Sequence, residues 1–239
     1  MPAVAPSPTS PPDRHEAGPY ISTRSGPGFI PGRLTLALLG IPAVAAVLLA
    51  GPVEGHKGLP PKKGETGRQE VRGRRPVADF TLKDQEGRPL ASRDLRGKAV
   101  LVTFGFTTCV DVCPIQTAKG VAVEQALPAA LRDRVHMLLI TTDPGVDTPA
   151  ALKEYARKFG ADPTRFSFLT GDPAALATVW HDFGVAVKKK GPGNVDHTTL
   201  TSLVDPEGNL RVNYYGLGWT PAGVVRDIAI ALGVEQADR

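Results

Sequence analysis

Apolar residues run without a charge from Leu34 to Val53, while beyond Pro76 they recur in short blocks separated by turn-forming residues. Twenty helical residues rising about 1.5 Å each span roughly 30 Å, the thickness of a bilayer's hydrocarbon core. Residues 34–53 therefore predict a single transmembrane helix. Pro42 would kink it, which membrane helices tolerate. A cleaved signal peptide is the rival, but the run is longer than a usual signal core and lacks a clear small-x-small cleavage site.

After Pro76 the blocks change character. VADFTL (Val77–Leu82) reads as a short strand and KDQEG as a turn. KAVLVTFGF (Lys98–Phe106) and VHMLLITTD (Val135–Asp143) are continuous apolar runs, the pattern of strands buried on both faces. A helix is expected from Pro114 to Leu127, where Pro128 stops it. Asp147–Gly160 predicts another, with Thr148 as cap, Pro149 in the first turn and Gly160 as terminator. RFSFLTG then reads as a strand and DPAALATVWHDFG as a helix. TTLTSLV and LRVNYYG form a hairpin around DPEGN, and TPAGVVRDIAIALG closes as a helix. The order β-α-β-α-(β-α)-β-β-α predicts an α/β, thioredoxin-like three-layer fold with a mixed central sheet, preceded by the transmembrane helix. No internal repeat is present.

Composition adds the remaining segments. Residues 1–33 hold eight prolines and few large apolar side chains, too little to offset ordering entropy, so a disordered tail is expected. Residues 54–75 show no apolar period and read as a flexible tether to a domain at 76–239. The net charge is +4, and the basic excess sits in residues 1–75, with ten Lys/Arg against five Asp/Glu. The remainder carries eighteen against nineteen. A nucleic-acid-binding domain would carry its basic patch on the folded part, so that class is set aside. Lys and Arg crowd the C-terminal flank of the apolar run. Taken locally, they would place the domain in the cytoplasm, but the rule weakens when a long domain follows.

The chain has two cysteines, both in TFGFTTCVDVCPIQTA, Thr103–Ala118. Cys109 and Cys113 fall between a buried strand and the helix after it, the edge where open α/β sheets place ligand sites. Pro114 suits the first helical turn and disfavours helical geometry at the residue before it, so Cys113 is expected at the N-cap. There the unpaired N–H groups and the helix dipole would lower its thiol pKa. The spacing permits a disulfide, but one closing so small a loop removes little unfolded-chain entropy, which argues against a purely structural staple. Among five histidines, His15 lies in the tail and His56 in the tether. His136, at a strand start, and His181, at a helix end, read as solvated or hydrogen-bonded groups. His197 follows the loop KKKGPGN and opens the hairpin. If the strands are neighbours, it meets the cysteines. Two thiolates and an imidazole make a soft, low-coordinate set that suits Cu(I), with an open-site zinc or a plain redox pair as alternatives.

TFGFTTCVDVCP, ITTDPGVDTPAALKEYARKFG and VDHTTLTSLVDPEGNL together resemble the Sco/SenC family of membrane-tethered copper proteins, over roughly Val77–Gly233. The resemblance implies a thioredoxin-like fold, with copper, as Cu(I) or Cu(II), held by Cys109, Cys113 and His197. It also implies a role in assembling the dinuclear copper centre of cytochrome c oxidase subunit II, by delivering copper or by reducing thiols. The partners would be that subunit and a further copper chaperone. The domain would sit on the extracytoplasmic face of the cell membrane, against the local charge count. The family usually carries His and Pro where this chain has Thr108 and Val110, which changes the loop but not the three ligands. Asp196 is a candidate to orient His197, and Asp111 to tune the thiols. Lys188–Lys190 read as a solvated run. A metal-free thiol–disulfide oxidoreductase would use the same cysteine pair, but such enzymes favour two intervening residues and have no use for His197. A redox or copper sensor would share the site and differ in its partner. A peroxiredoxin would need Thr where Phe106 stands.

Overall fold

The computed structural model describes residues 67–234. The tail expected at 1–33, the transmembrane helix expected at 34–53 and the first part of the expected tether lie outside the described residues. Among the described residues no helix is long and apolar enough to cross a membrane.

Ten strands and four α-helices follow one another among the described residues: β1 (Gly67–Glu70), β2 (Thr81–Lys83), β3 (Pro89–Ala91), β4 (Ala99–Gly105), α1 (Val112–Ala126), β5 (Val135–Thr141), α2 (Pro149–Phe159), β6 (Phe166–Leu169), α3 (Pro173–Phe183), β7 (Val187–Gly191), β8 (Asn194–His197), β9 (Leu200–Val204), β10 (Leu210–Tyr215) and α4 (Pro221–Ala231). Six strands form the central sheet in the order β1-β10-β9-β4-β5-β6. β4, β5 and β6 run parallel, whereas β9, β10 and β1 add antiparallel. The sheet is mixed, as expected.

β4 and β5 are buried along their whole length because each feeds two cores. Ala99, Leu101, Val135, Met137 and Leu139 point into one core, with side chains of α1, α2 and α4. Val100, Val102, Phe104, Leu138 and Ile140 point into the other, beneath α3 and the β2–β3 hairpin. Strand period two thus turns a continuous apolar run into two interleaved faces. Helix starts follow the sequence signals. Thr148, Asp172 and Thr220 cap α2, α3 and α4 through their side-chain oxygens, each with proline in the first turn.

Four expectations change. Gly67–Glu70, placed in the tether by sequence, pair with β10 as an edge strand. Arg68 fastens that strand by a bidentate contact to Asp227 of α4, at 2.8 and 2.7 Å. Strands this short carry no period, so composition alone misread them. The first strand contracts from Val77–Leu82 to Thr81–Lys83 and joins a separate two-stranded sheet with β3. The loop KKKGPGN is instead the β7–β8 hairpin, and His197 ends its second strand rather than opening the next. Helix α1 begins at Val112, with Asp111 as N-cap, which moves Cys113 inside the helix.

Candidate copper and thiol site

β4 ends at Gly105, and the chain crosses to α1 through Phe106–Asp111. The crossing is tight: a Cβ on Gly105 would stand 3.2 Å from Cys113 Sγ. Any other residue there would force the thiol to give by a few tenths of an ångström. Both cysteines are free and buried, with Cys109 4% and Cys113 1% exposed. Phe106 and Val195 pack around them, and Val112 and Val187 close the sides.

The β7–β8 hairpin brings in the third group. His197 is 2% exposed, and its Nε2 lies 3.5 Å from Cys113 Sγ. Phe106 meets the imidazole edge-on, with ring centroids 6.0 Å apart. The other ring nitrogen, Nδ1, lies 3.0 Å from the Thr198 carbonyl oxygen. A carbonyl only accepts, so Nδ1 carries the proton and Nε2 presents its lone pair to the cysteines. Burial holds the imidazole below its ordinary pKa, while the Thr198 carbonyl and Asp196 oppose this, so the ring is neutral at neutral pH. Asp196 does not orient the ring. Its Oδ2 takes the Lys190 ammonium at 2.8 Å, and its Oδ1 is buried without a hydrogen-bond partner. Nor are the lysines merely solvated, because Lys189 reaches Asp143 at 3.7 Å.

The thiols divide their roles in the opposite sense to the sequence expectation. The neighbouring Cys113 thiol favours the Cys109 thiolate most, and the backbone N–H groups of Asp111, Val112 and Cys113 favour it further. Together they outweigh burial and lower the Cys109 pKa to about 6. The Cys109 sulfur and burial push Cys113 upward. The two sulfurs act on each other most, and the helix adds to the split. The N–H groups of a first helical turn point back toward the preceding loop, so they stabilise a thiolate there rather than one already inside the helix.

Two carboxylates complete the surroundings. Asp147, fully buried, accepts from the Thr107 N–H at 3.1 Å, the Thr107 hydroxyl at 2.6 Å and the Thr141 hydroxyl at 2.5 Å. Burial raises its pKa, and the threonine bonds oppose the shift. Asp143, 2% exposed, accepts from the Gly193 N–H at 2.8 Å. Sequence reading passed over both acids, although their spacing after a buried strand was a usable signal. His136 lies apart, hydrogen-bonded to Ser167 at 2.9 Å, and His181 is exposed on α3.

The donor set fits a soft cation. Two ligands each about 2.0–2.3 Å from a metal stand about 3.5 Å apart, the spacing of Cys113 Sγ and His197 Nε2. Among the described residues, no group of three or more His, Cys, Asp or Glu side chains already stands in metal-holding geometry.

The SCO1/SenC family model matches residues 68–232. This chain belongs to the SCO1/SenC family. The mitochondrial SCO2 homologue of Mus musculus is 33% identical over 222 residues, covering 90% of this chain and 83% of that protein. The copper-bound structure of Bradyrhizobium japonicum ScoI is 34% identical, with a TM-score of 0.57 over 65% of this chain and 99% of that one. BsSco, described as a member of the Sco family of cytochrome c oxidase assembly proteins with a disulfide switch, is 27% identical. Its TM-score is 0.59, covering 70% of this chain and all of that one (100%). These likenesses agree with the thioredoxin-like fold. The family match begins inside β1, consistent with that strand belonging to the domain.

Proposed function

We propose that this protein is a membrane-anchored copper chaperone. It would deliver copper to the dinuclear site of cytochrome c oxidase subunit II, or reduce that site's thiols, from the extracytoplasmic face. Residues 34–53 would be the anchor. The cargo would be held by Cys109, Cys113 and His197. The observation that carries the reading is the placing of His197, whose Nε2 lies 3.5 Å from the buried Cys113 thiol while its Nδ1 lies 3.0 Å from the Thr198 carbonyl. The protein's own part is to supply one thiolate that ionises readily, one proton to be displaced from Cys113, and a neutral imidazole. Two thiolates and an imidazole favour Cu(I) over harder cations. Metal analysis of the reduced domain, purified anaerobically, tests the reading. The wild type should bind one copper per chain, and His197→Ala should bind at least tenfold more weakly, a margin typical of lost ligation or its supports. Equal affinity in both would overturn it.

A second reading, thiol–disulfide exchange, is favoured by the two free thiols packed in one cluster and by the low pKa of Cys109. Cys109 would attack a partner disulfide, and Cys113 would then displace the partner thiol, leaving the Cys109–Cys113 disulfide and a reduced partner. Turnover of a model disulfide by copper-free protein, lost in Cys109→Ser, distinguishes it from metal delivery.

A further inference from the structure

The cysteines and the histidine reach the site on separate elements, the β4–α1 loop and the β7–β8 hairpin. The hairpin forms its own two-stranded sheet and makes no ladder with the central one. Two-stranded hairpins are marginal alone, so something else must fix this one against the loop. One short segment touches both. Asp143 and Asp147 lie at the ends of the turn between β5 and α2, where the Asp143 carbonyl accepts from the N–H groups of Val146 and Asp147. That turn places the two carboxylates side by side.

Their partners differ. Asp147 holds Thr107, two residues before Cys109, by both its N–H and its hydroxyl, and is tied back to β5 through Thr141. Asp143 holds the hairpin tip by the Gly193 N–H, with Lys189 of β7 alongside. Gly193 has φ +69°, and a Cβ there would stand 3.1 Å from Thr108 Oγ1. The tip is thus seated between Asp143 and the residue next to Cys109. Beyond it, on β8, Val195 packs in the cysteine cluster and His197 meets Cys113.

The geometry points to Asp143 and Asp147 as a pair of positioning residues that set the separation between the cysteine loop and the histidine hairpin. Asp147 fixes the loop through Thr107, and Asp143 fixes the hairpin through Gly193. Neither is hydrogen-bonded to a thiol or the imidazole; each acts chiefly through the residue it holds, and the charge of Asp147 adds to the upward push on Cys113. The two should therefore have separable signatures. Loss of Asp147 loosens the segment bearing Cys109, whereas Cys113 stays anchored in α1. Loss of Asp143 lifts the hairpin that covers Cys113. Asparagine keeps an acceptor oxygen for the Thr107 or Gly193 N–H and removes the charge as alanine does, so it should restore the wild-type behaviour.

The test is alkylation of the reduced, metal-free domain by N-ethylmaleimide, with the two cysteines followed separately by mass spectrometry and unfolding monitored in parallel. Asp147→Ala should alkylate Cys109 about five- to thirty-fold faster, the effect of losing one or two hydrogen bonds from a local opening, with a smaller change at Cys113. Asp143→Ala should show the reverse preference, and both asparagine variants should stay near the wild-type rate. The inference is overturned if both alanine variants speed the two cysteines equally, in step with lost stability, or if asparagine behaves as alanine does. A second readout rests on the copper reading: in copper-loaded protein, Asp143→Ala should shift the thiolate-to-copper absorption band and Asp143→Asn should not. If the wild type takes up no copper, that reading fails while the alkylation result stands.

Discussion

Two buried polar clusters in this domain are built to opposite ends. At the outer edge of the sheet, Asp227 is closed off on every side. Arg68 takes both of its oxygens, and the Tyr214 hydroxyl donates to it at 2.5 Å. Burial pushes that carboxyl up, but Arg68 and Tyr214 prevail and hold it below the ordinary carboxylate range. At the end of β4, Cys109, Cys113 and His197 are at least as buried, yet they meet chiefly one another. His197 Nε2 has a thiol at 3.5 Å as its partner. The difference teaches how to separate structure from chemistry among buried polar groups. Saturated hydrogen bonding marks a clamp, whereas donors left facing each other in an apolar pocket mark a site awaiting something.

The sharpest way to break the comparison is Asp227→Ala. It strands the Tyr214 hydroxyl and unpairs Arg68, and should cost about 3–4 kcal/mol in urea denaturation. Alkylation of both cysteines should not change. A fall in stability accompanied by altered thiol rates would mean the two clusters are coupled.

His136 extends the structural class. Burial, with Lys98 nearby, lowers its pKa from 6.5 to about 4. The unfolded chain therefore binds this proton at higher pH than the folded one. Stability on this account is full above pH 6.5 and is lost as pH falls toward 4, by about 3 kcal/mol in all. Denaturation at several pH values should show this loss in the wild type and a flatter profile in His136→Gln. Equal profiles would assign the acid sensitivity to other groups.

The smallest effect is confined to the thiols. Cys109 should react with iodoacetamide with a midpoint near pH 6, and Cys113 should stay protonated well above it. In Cys113→Ala the midpoint should rise toward the ordinary value of 9.0, because the principal donor is gone. A midpoint unmoved by that substitution would credit the backbone N–H groups alone.

The sequence by itself determined the elements whose signals are local. The β4 and β5 runs, the cap Thr148, the helices α3 and α4 and the β9–β10 hairpin are all found near their expected places, because burial on both faces and capping are written in neighbouring residues. The three candidate site residues were legible for a different reason: two cysteines four apart and one histidine beside a glycine-rich turn are rare chemistry at recognisable spacing. What only the tertiary structure decided depends on direction. Whether Cys109 or Cys113 is the better thiolate turned first on how the two sulfurs face each other and then on where the N–H groups of α1 point, after the helix began at Val112 rather than Pro114. The choice of Thr198 over Asp196 as the partner of His197 turned on which way β8 faces. The pairing of β1 with β10, and the placing of Asp143 and Asp147 against two distant segments, required contacts between residues far apart in the chain. Local pattern records which residues are buried; which buried groups meet is fixed by the packing of the whole sheet and its helices.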